Sequence, residues 1–459
     1  MQSFRLISLV LFLAACAPRV SNLDPGVLSA ASFTRAGTEA LSDQWWQAFS
    51  DEQVDRFVVS ALDSNFSLEA TWHRLRAAKA RVDRESASFF PDLTGSAVGE
   101  IERSASVGES LRLGLASDYE LDLWGKIRSQ VAAERFRFRA SHADYQAAAL
   151  TLAAEVVRTW YQLMDARSRL DLFERQIETN TQVLGLIRAR FGSGQVRSVD
   201  IMRQEQLLES TREQKIGAQS RVQVLEHQLA VLLGRPPQQM IAYVPTELPA
   251  PPPIPDTGLP AALIQRRPDV RQSFNLLRAA DRELAVAITN RYPRLTLSAS
   301  TSSTNDGNGF EDWARNITGG LFAPIFNAGE RGAEVRRTRA LKDERLYRYG
   351  QTILTAFREV EDALVQEQKQ SERIRSIETQ VELARRSYDQ VRLEYLNGIT
   401  DYLNVLTALT AEQRLRRDLI SAKLVLLEHR IALYRALAGG FDTGRDTNLG
   451  IKLDKQQAG

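Results

Sequence analysis

The sequence predicts a mainly α protein with a transmembrane β-barrel portion: long coiled-coil helical hairpins occur twice, with four β-strands per chain. Three observations carry this expectation. Apolar residues step by three and four along a run that contains no proline, at Leu170, Phe173, Ile177, Leu184, Ile187 and Phe191, and again on a return from Ile201 through Leu208, Val222 and Leu225 to Leu232. A stripe sustained this long is the pattern of coiled-coil packing. Adding 204 to the outward set gives Ile374, Ile377, Val381, Tyr388, Val391 and Tyr395, apolar at every position, so the chain is built twice. Before each long run the period changes from that of a helix to that of a strand.

In chain order, Met1 to Ala15 holds one early cation, Arg5, and an apolar stretch from Leu6 to Leu13, which is the pattern of a secretory signal peptide. It ends Leu13-Ala14-Ala15-Cys16, and Cys16 is the single cysteine of the chain. This looks like a lipobox, predicting S-diacylglycerol and N-acyl groups on Cys16 after cleavage, the alternative being a standard signal with an incidental cysteine; the resemblance to bacterial lipoproteins implies, from Ala17, sorting to the outer membrane. Trp45-Trp46 and Phe49 open a short helix expected to run through Leu62, and Asn65 can cap the next, which Pro91 ends. From Leu93 to Ile101 residues alternate, and from Leu111 the alternation is clearer, with Leu113, Leu115, Tyr119 and Leu121 against Arg112, Gly114, Asp118 and Glu120. Such a strand pair suits a membrane barrel, but taken alone it reads better as a half-buried hairpin of a soluble domain.

A helical hairpin follows, reversing at Phe191-Gly192-Ser193-Gly194 and ending at Gly234. A linker then holds nine of the fifteen prolines, including Pro251-Pro252-Pro253, and is expected to be an extended spacer. The second half repeats the first in identities: Leu75-Arg76-Ala77-Ala78 matches Leu277-Arg278-Ala279-Ala280, and Pro91 matches Pro293, at an offset of 202. The offset reaches 204 by the long helices, which places two extra residues in the second strand hairpin. The expected organisation is a signal peptide at 1–15, a lipidated segment at 16–44, and a first repeat at 45–234 with its strand hairpin at 91–123 and helical hairpin at 124–234. A Pro-rich linker spans 235–262, and the second repeat spans 263–438, with hairpins at 293–325 and 326–438. A polar, unpacked tail follows at 439–459.

Composition excludes more than it assigns. Net charge is +2 from 59 basic and 57 acidic residues, so no bulk field points to nucleic acid. His73, His142, His227 and His429 are scattered, so no metal site is expected, and no nucleophile–base pattern or phosphate loop appears. No run of about 18 apolar residues follows the signal, so a membrane crossing would require a closed barrel. Four strands cannot close one, because membrane barrels need about eight. Either the strands form an open sheet or several chains share one barrel.

The residues also resemble a family. Trp45-Trp46 with Phe49, Phe90-Pro91-Asp92-Leu93, Asp122-Leu123-Trp124-Gly125-Lys126, Arg266-Arg267-Pro268-Asp269-Val270, Pro324-Ile325-Phe326 and the two glycine turns look like TolC-type outer-membrane efflux channels, particularly the lipoprotein branch that includes OprM. The resemblance implies a homotrimer with a twelve-stranded barrel in outer-membrane lipid and a twelve-helix tunnel through the periplasm. It also implies docking to a periplasmic adaptor (membrane fusion) protein and an inner-membrane transporter, with no nucleic-acid partner, no cofactor beyond the lipid and no catalysis.

In such a channel the turns at Gly194 and Gly398 lie at the periplasmic tip. Both glycines suit positive φ, and Ser198 and Asp401 are candidate N-caps of the returning helices. Asp200, Thr400, Asp401, Tyr402 and Asn404 are the gate candidates. Asn404 and Thr407 stand where the TolC type places aspartates. The alternatives to a drug or small-molecule conduit are a channel for type I protein secretion, a periplasmic coiled-coil adaptor lipoprotein, and a structural coiled-coil lipoprotein. An adaptor would carry one hairpin, whereas two hairpins alternate here with two strand pairs.

Overall fold

The computed structural model describes residues 23–27, 32–37, 42–103, 107–238, 245–305, 309–441 and 443–445. The signal peptide and Cys16 lie outside them. The chain divides into two compact units, one of Met1–Leu28, Trp72–Asp144 and Asp269–Leu354, the other of Ser29–Thr71, Tyr145–Pro268 and Thr355–Gly459. The helices are α1 (Glu52–Ser64), α2 (Phe66–Ser86), α3 (Lys126–Gly192), α4 (Ser198–Leu232), α5 (Pro260–Arg266), α6 (Pro268–Thr289), α7 (Glu330–Leu396) and α8 (Tyr402–Leu437). The strands are β1 (Asp92–Arg103), β2 (Val107–Leu121), β3 (Arg294–Asn305) and β4 (Ala314–Phe322). α3 and α7 are each 67 residues, about 100 Å at about 1.5 Å per residue.

In the first unit the four strands form one antiparallel sheet in sequence order, β2 pairing with β3 across the two repeats. The register sorts side chains by chemistry. Leu111 and Leu115 share a face with Leu93, Ile101, Leu297, Ile317 and Leu321, and every one of these is exposed. The other face carries Thr94, Ser96, Arg112, Asp118, Ser298, Ser300 and Thr318. There Asp118 accepts a hydrogen bond from Ser298 Oγ at 2.6 Å, and Arg112 donates to Thr304 Oγ1 at 3.3 Å. An uncovered apolar face backed by a polar one is the arrangement of a strand set that meets lipid on one side and water on the other.

The strand-to-helix turn explains Asp122-Leu123-Trp124-Gly125-Lys126. Asp122 accepts from Ile127 N at 2.9 Å and Arg128 N at 3.0 Å, capping α3. Gly125 sits at φ +77°, Lys126 pairs with Glu120 at 3.0 Å, and Trp124 Nε1 donates to Pro293 O at 2.6 Å. This last bond ties the first repeat to the second.

In the second unit, Trp45 and Trp46 are almost wholly buried. Trp45 stacks on Tyr434 at 6.0 Å, and Trp46 meets Phe441 at 5.1 Å. Each buried aromatic contributes on the order of 3 kcal/mol. The single helix expected from Trp45 to Leu62 is broken. A 3-10 turn at Trp45–Phe49 ends at Ser50, φ +52°, because Asp51 begins α1 by accepting from Gln53 N and Val54 N. The other oxygen of Asp51 accepts from Trp160 Nε1 at 2.9 Å. Asn65 caps α2 as expected, through Ser67 N and Leu68 N.

One expectation is corrected and another gains detail. The proline linker also packs: Pro253 O accepts from Tyr434 Oη at 3.2 Å, Thr257 donates to Arg35 O, and Pro252 and Pro255 are buried. The segment after Gly439 does not begin as an unpacked tail, since Phe441 is buried, Thr443 bonds Tyr145 Oη at 2.9 Å and Arg445 pairs with Glu69. In both stretches a few aromatic and hydroxyl contacts outweigh the polar or proline-rich composition. Arg267 is a structural residue, donating to Ala436 O at 3.2 Å and pairing with Glu359 at 2.7 Å, with Pro268 as the first residue of α6.

The sheet generates a prediction. Leu115→Arg, on the apolar face, should destabilise the protein in a bilayer by about 2–4 kcal/mol, and Ser300→Arg, on the polar face, should cost much less. Urea titration of refolding into vesicles measures both.

Candidate functional site

Both glycine turns close in the same way. Gly194 and Gly398 each take φ +74°; Gln195 N donates to Arg190 O at 3.0 Å and Ile399 N to Glu394 O at 2.9 Å. These are bonds from the residue after the glycine back five positions, which satisfy carbonyls the helix end leaves free. A side chain at either glycine would meet the steric penalty of the left-handed region, so these turns depend on glycine. Arg190 then joins the two hairpins. It donates to Tyr395 O at 2.9 Å and Leu396 O at 2.8 Å, and its guanidinium lies 4.8 Å from the Tyr395 ring centroid.

Beneath the turns Ile187, Tyr395, Tyr402 and Val405 form a buried cluster that includes the partly buried Val183, Ile201 and Val391. Tyr402 Oη donates to Gln204 Oε1, and burial pushes its phenol well above the ordinary tyrosine range, keeping it a neutral donor. Asp200 is 4 % exposed. Arg197 and Arg203 approach its carboxylate at 3.7 Å and 3.5 Å, but Oδ1 accepts no hydrogen bond, and Tyr395 Oη likewise makes none among the described residues. A buried carboxylate without a close donor is costly. It is the least satisfied group at this tip.

Behind the cluster runs a seam of buried amides. Asn180 Nδ2 donates to Thr211 Oγ1 at 3.0 Å, and Gln204 Nε2 to Asn180 O at 2.8 Å. Gln413 Nε2 donates to Asn180 Oδ1 at 2.9 Å, and Gln176 Nε2 to Gln413 O at 3.1 Å. Arg417 completes it, donating to Gln176 Oε1 at 2.8 Å. The seam joins α3, α4 and α8, and its backbone acceptors make a slip between these helices cost several hydrogen bonds at once.

The structure divides the expected gate residues. Tyr402 belongs to the buried cluster and Asp200 is buried nearby; burial first, then Tyr395, Tyr388 and the Asp200 charge, hold the Tyr402 phenol above the ordinary range. Asn404 donates to Thr400 Oγ1 at 2.8 Å, a local contact on the exposed side. Asp401 is exposed at the N-cap position of α8 but its side chain makes no capping bond. Ser198 is corrected from N-cap to first residue of α4; the cap position is Arg197, which makes no side-chain cap. Sequence reasoning missed Asn180, Gln176, Gln204 and Gln413. A polar residue falling inside a sustained apolar stripe was the available signal.

The comparisons with known proteins bear on these turns and this sheet together. The profile of the family described as outer membrane efflux protein matches residues 57–235 and 259–439. The chain belongs to the outer membrane efflux protein family. It is 29 % identical to the pyoverdine export outer membrane protein OpmQ of Pseudomonas aeruginosa, over 97 % of this chain and 98 % of that one. With the toluene efflux pump outer membrane protein TtgI of Pseudomonas putida it shares 27 % identity over 87 % of each. Its fold matches the outer-membrane channel OprN with a TM-score of 0.84 and 28 % identity, covering 92 % of this chain and 99 % of that one. This efflux protein is therefore a TolC-type channel of the bacterial outer membrane that extends into the periplasm, as the sequence motifs implied.

The amide seam of the efflux protein is testable. Asn180→Ala strands buried partners in Gln413 and Thr211 and should cost about 2–4 kcal/mol, against less than about 0.5 kcal/mol for Thr179→Ala on the exposed face. Thermal unfolding followed by circular dichroism compares the two.

Proposed function

We propose that the protein is the outer-membrane duct of a tripartite efflux pump, a homotrimer that passively conducts drugs or other small molecules and performs no chemistry itself. The observation that carries this is the sheet: one exposed apolar face, one polar face, and two open edges on a chain too short in strands to close a barrel alone. Three copies would supply about twelve strands and leave a lumen. A periplasmic adaptor and an inner-membrane transporter would deliver cargo and energy. The relatives' named cargoes, pyoverdine and toluene, are small molecules, which favours this reading over type I protein secretion. Cys16, acylated, would add an anchor in the same membrane; more than one acyl chain is needed for firm attachment.

The tip is where such a duct would close. Asp200, held in a buried position without a close donor, is poised to change partners when the helices shift, and Asp401 presents an exposed carboxylate at the second turn. Thr400, Tyr402 and Asn404 support the turn rather than carry the charge.

Purified protein in planar bilayers should form discrete channels, and loss of the gene should sensitise cells to small toxic molecules; absence of both effects removes the proposal. Asp200→Ala should raise single-channel conductance severalfold, and an unchanged value would leave Asp200 a packing residue. Cys16→Ser should abolish incorporation of radiolabelled palmitate, and label that persists would rule out Cys16 as its site.

A further inference from the structure

Below the sheet, α3 and α6 neutralise their cations on one side and gather unpaired ones on another. We propose that Arg139 of α3 with Arg278 and Arg282 of α6 form a binding site for a phosphate-type oxyanion, which bridges the first repeat and the second. The site goes beyond the duct reading and does not rest on it.

The contrast within this helix pair carries the inference. Arg137 is neutralised by Glu134 beside it and by Glu283 of α6. Arg139, two residues on, points to the opposite side of α3, since each helical residue turns about 100°. At the three- and four-residue spacings where a helix places ion pairs, Arg139 has Arg135, Phe136, His142 and Ala143, none of them acidic. Arg282 has Arg278, Ala279, Ala285 and Val286. Only Arg278 has an acid at such a spacing, the buried Asp281. Burial, then the charges of Arg282 and Arg139, hold the Arg278 guanidinium below its ordinary pKa, and Asp281 is the smallest influence on it. No ion pair engages Arg139, Arg278 or Arg282 among the described residues.

Aromatic rings hold these cations in place instead. The Arg278 guanidinium lies 4.4 Å from the Phe136 ring centroid and 5.8 Å from that of Phe274, and the Arg139 guanidinium lies 5.5 Å from Phe136. Cation–π contact leaves the N–H donors of a guanidinium unspent. Like charges gathered this closely repel, and an anion with several acceptor oxygens relieves them while accepting from more than one arginine. Depth selects the source of that anion. Arg282 stands 7 residues before Thr289, the end of α6, and Arg139 stands 13 residues after Lys126, the start of α3. These are about 10 Å and about 20 Å along helices that leave the foot of the sheet. A bilayer headgroup layer is only about 5–8 Å thick, so a lipid phosphate at that foot falls short of Arg139 and a soluble phosphate does not.

Binding to the full-length protein tests the site. Calorimetry in detergent and chloride-poor buffer follows inorganic phosphate, and native mass spectrometry from mixed nanodiscs follows retention of phosphatidylglycerol over phosphatidylcholine. The unsubstituted protein should bind phosphate saturably, and Arg139→Gln and Arg278→Gln should each weaken it at least about tenfold, the loss expected for a charge-assisted bond. Arg336→Gln, at an exposed position of α7, should leave the affinity unchanged. Arg139 is itself exposed, so its variant reads the site even where Arg278→Gln fails to fold. Phosphate bound as tightly by Arg139→Gln and Arg278→Gln as by the unsubstituted protein overturns the site. Absence of both saturable phosphate binding and selective phosphatidylglycerol retention overturns it too. Phosphatidylglycerol retained selectively and lost in Arg139→Gln, without binding of free phosphate, overturns the soluble source and assigns the three arginines to a headgroup. None of these readouts depends on whether the protein conducts.

Discussion

A backbone amide placed in hydrocarbon has no water to bond, so every strand edge that enters a membrane must find another strand. Much of this molecule's architecture follows from that requirement. Each repeat supplies only one strand hairpin, and a hairpin leaves two edges. Duplication removes one pair of them by joining β2 to β3, a seam reinforced on its polar face by Asp118 with Ser298 and at its base by Trp124 with Pro293. Among the described residues the outer edges of β1 and β4 pair with no further strand. Large apolar residues such as Ile317 and Leu321 stand exposed on the face that suits contact with lipid.

The helical part answers a different constraint. Long helices packed along apolar stripes, as α3 is with α4 and α8, could slide along one another if the stripes were uniformly apolar, because leucine meets leucine at many offsets. Asn180 and the glutamines around it break that degeneracy with bonds to particular carbonyls, notably Gln204 to Asn180 O and Gln176 to Gln413 O. Arg190 does the same at the turns by closing the end of α7. The Arg430–Glu367 pair, both side chains buried, is a further fixed point between α7 and α8. Such pairs add little net stability, yet removing one partner is expensive, which suits them to specifying an alignment.

Much of this was legible in the residues. Periods of 3.6 and 2 mark helices and strands because side-chain direction follows backbone geometry, and the repeat was visible in identities such as Leu75-Arg76-Ala77-Ala78 with its copy. The positive φ of Gly194 and Gly398 followed from what only glycine adopts cheaply. The break at Ser50, the packed proline segment and the buried Phe441 were not legible, because each depends on a partner more than a hundred residues away: Asp51 on Trp160, Pro253 on Tyr434, Phe441 on Trp46.

The sequence by itself determined the duplicated plan, the placement of the turns and which strand face is apolar, since these are local consequences of residue type and spacing. Tertiary structure alone decided how the candidate gate divides. Asp200 and Tyr402 are both buried, while Asp401 is exposed and the Asn404 side chain donates to Thr400 within its own turn. Neighbours along the chain point to different sides of a helix, and which side meets another hairpin is settled only when the hairpins pack.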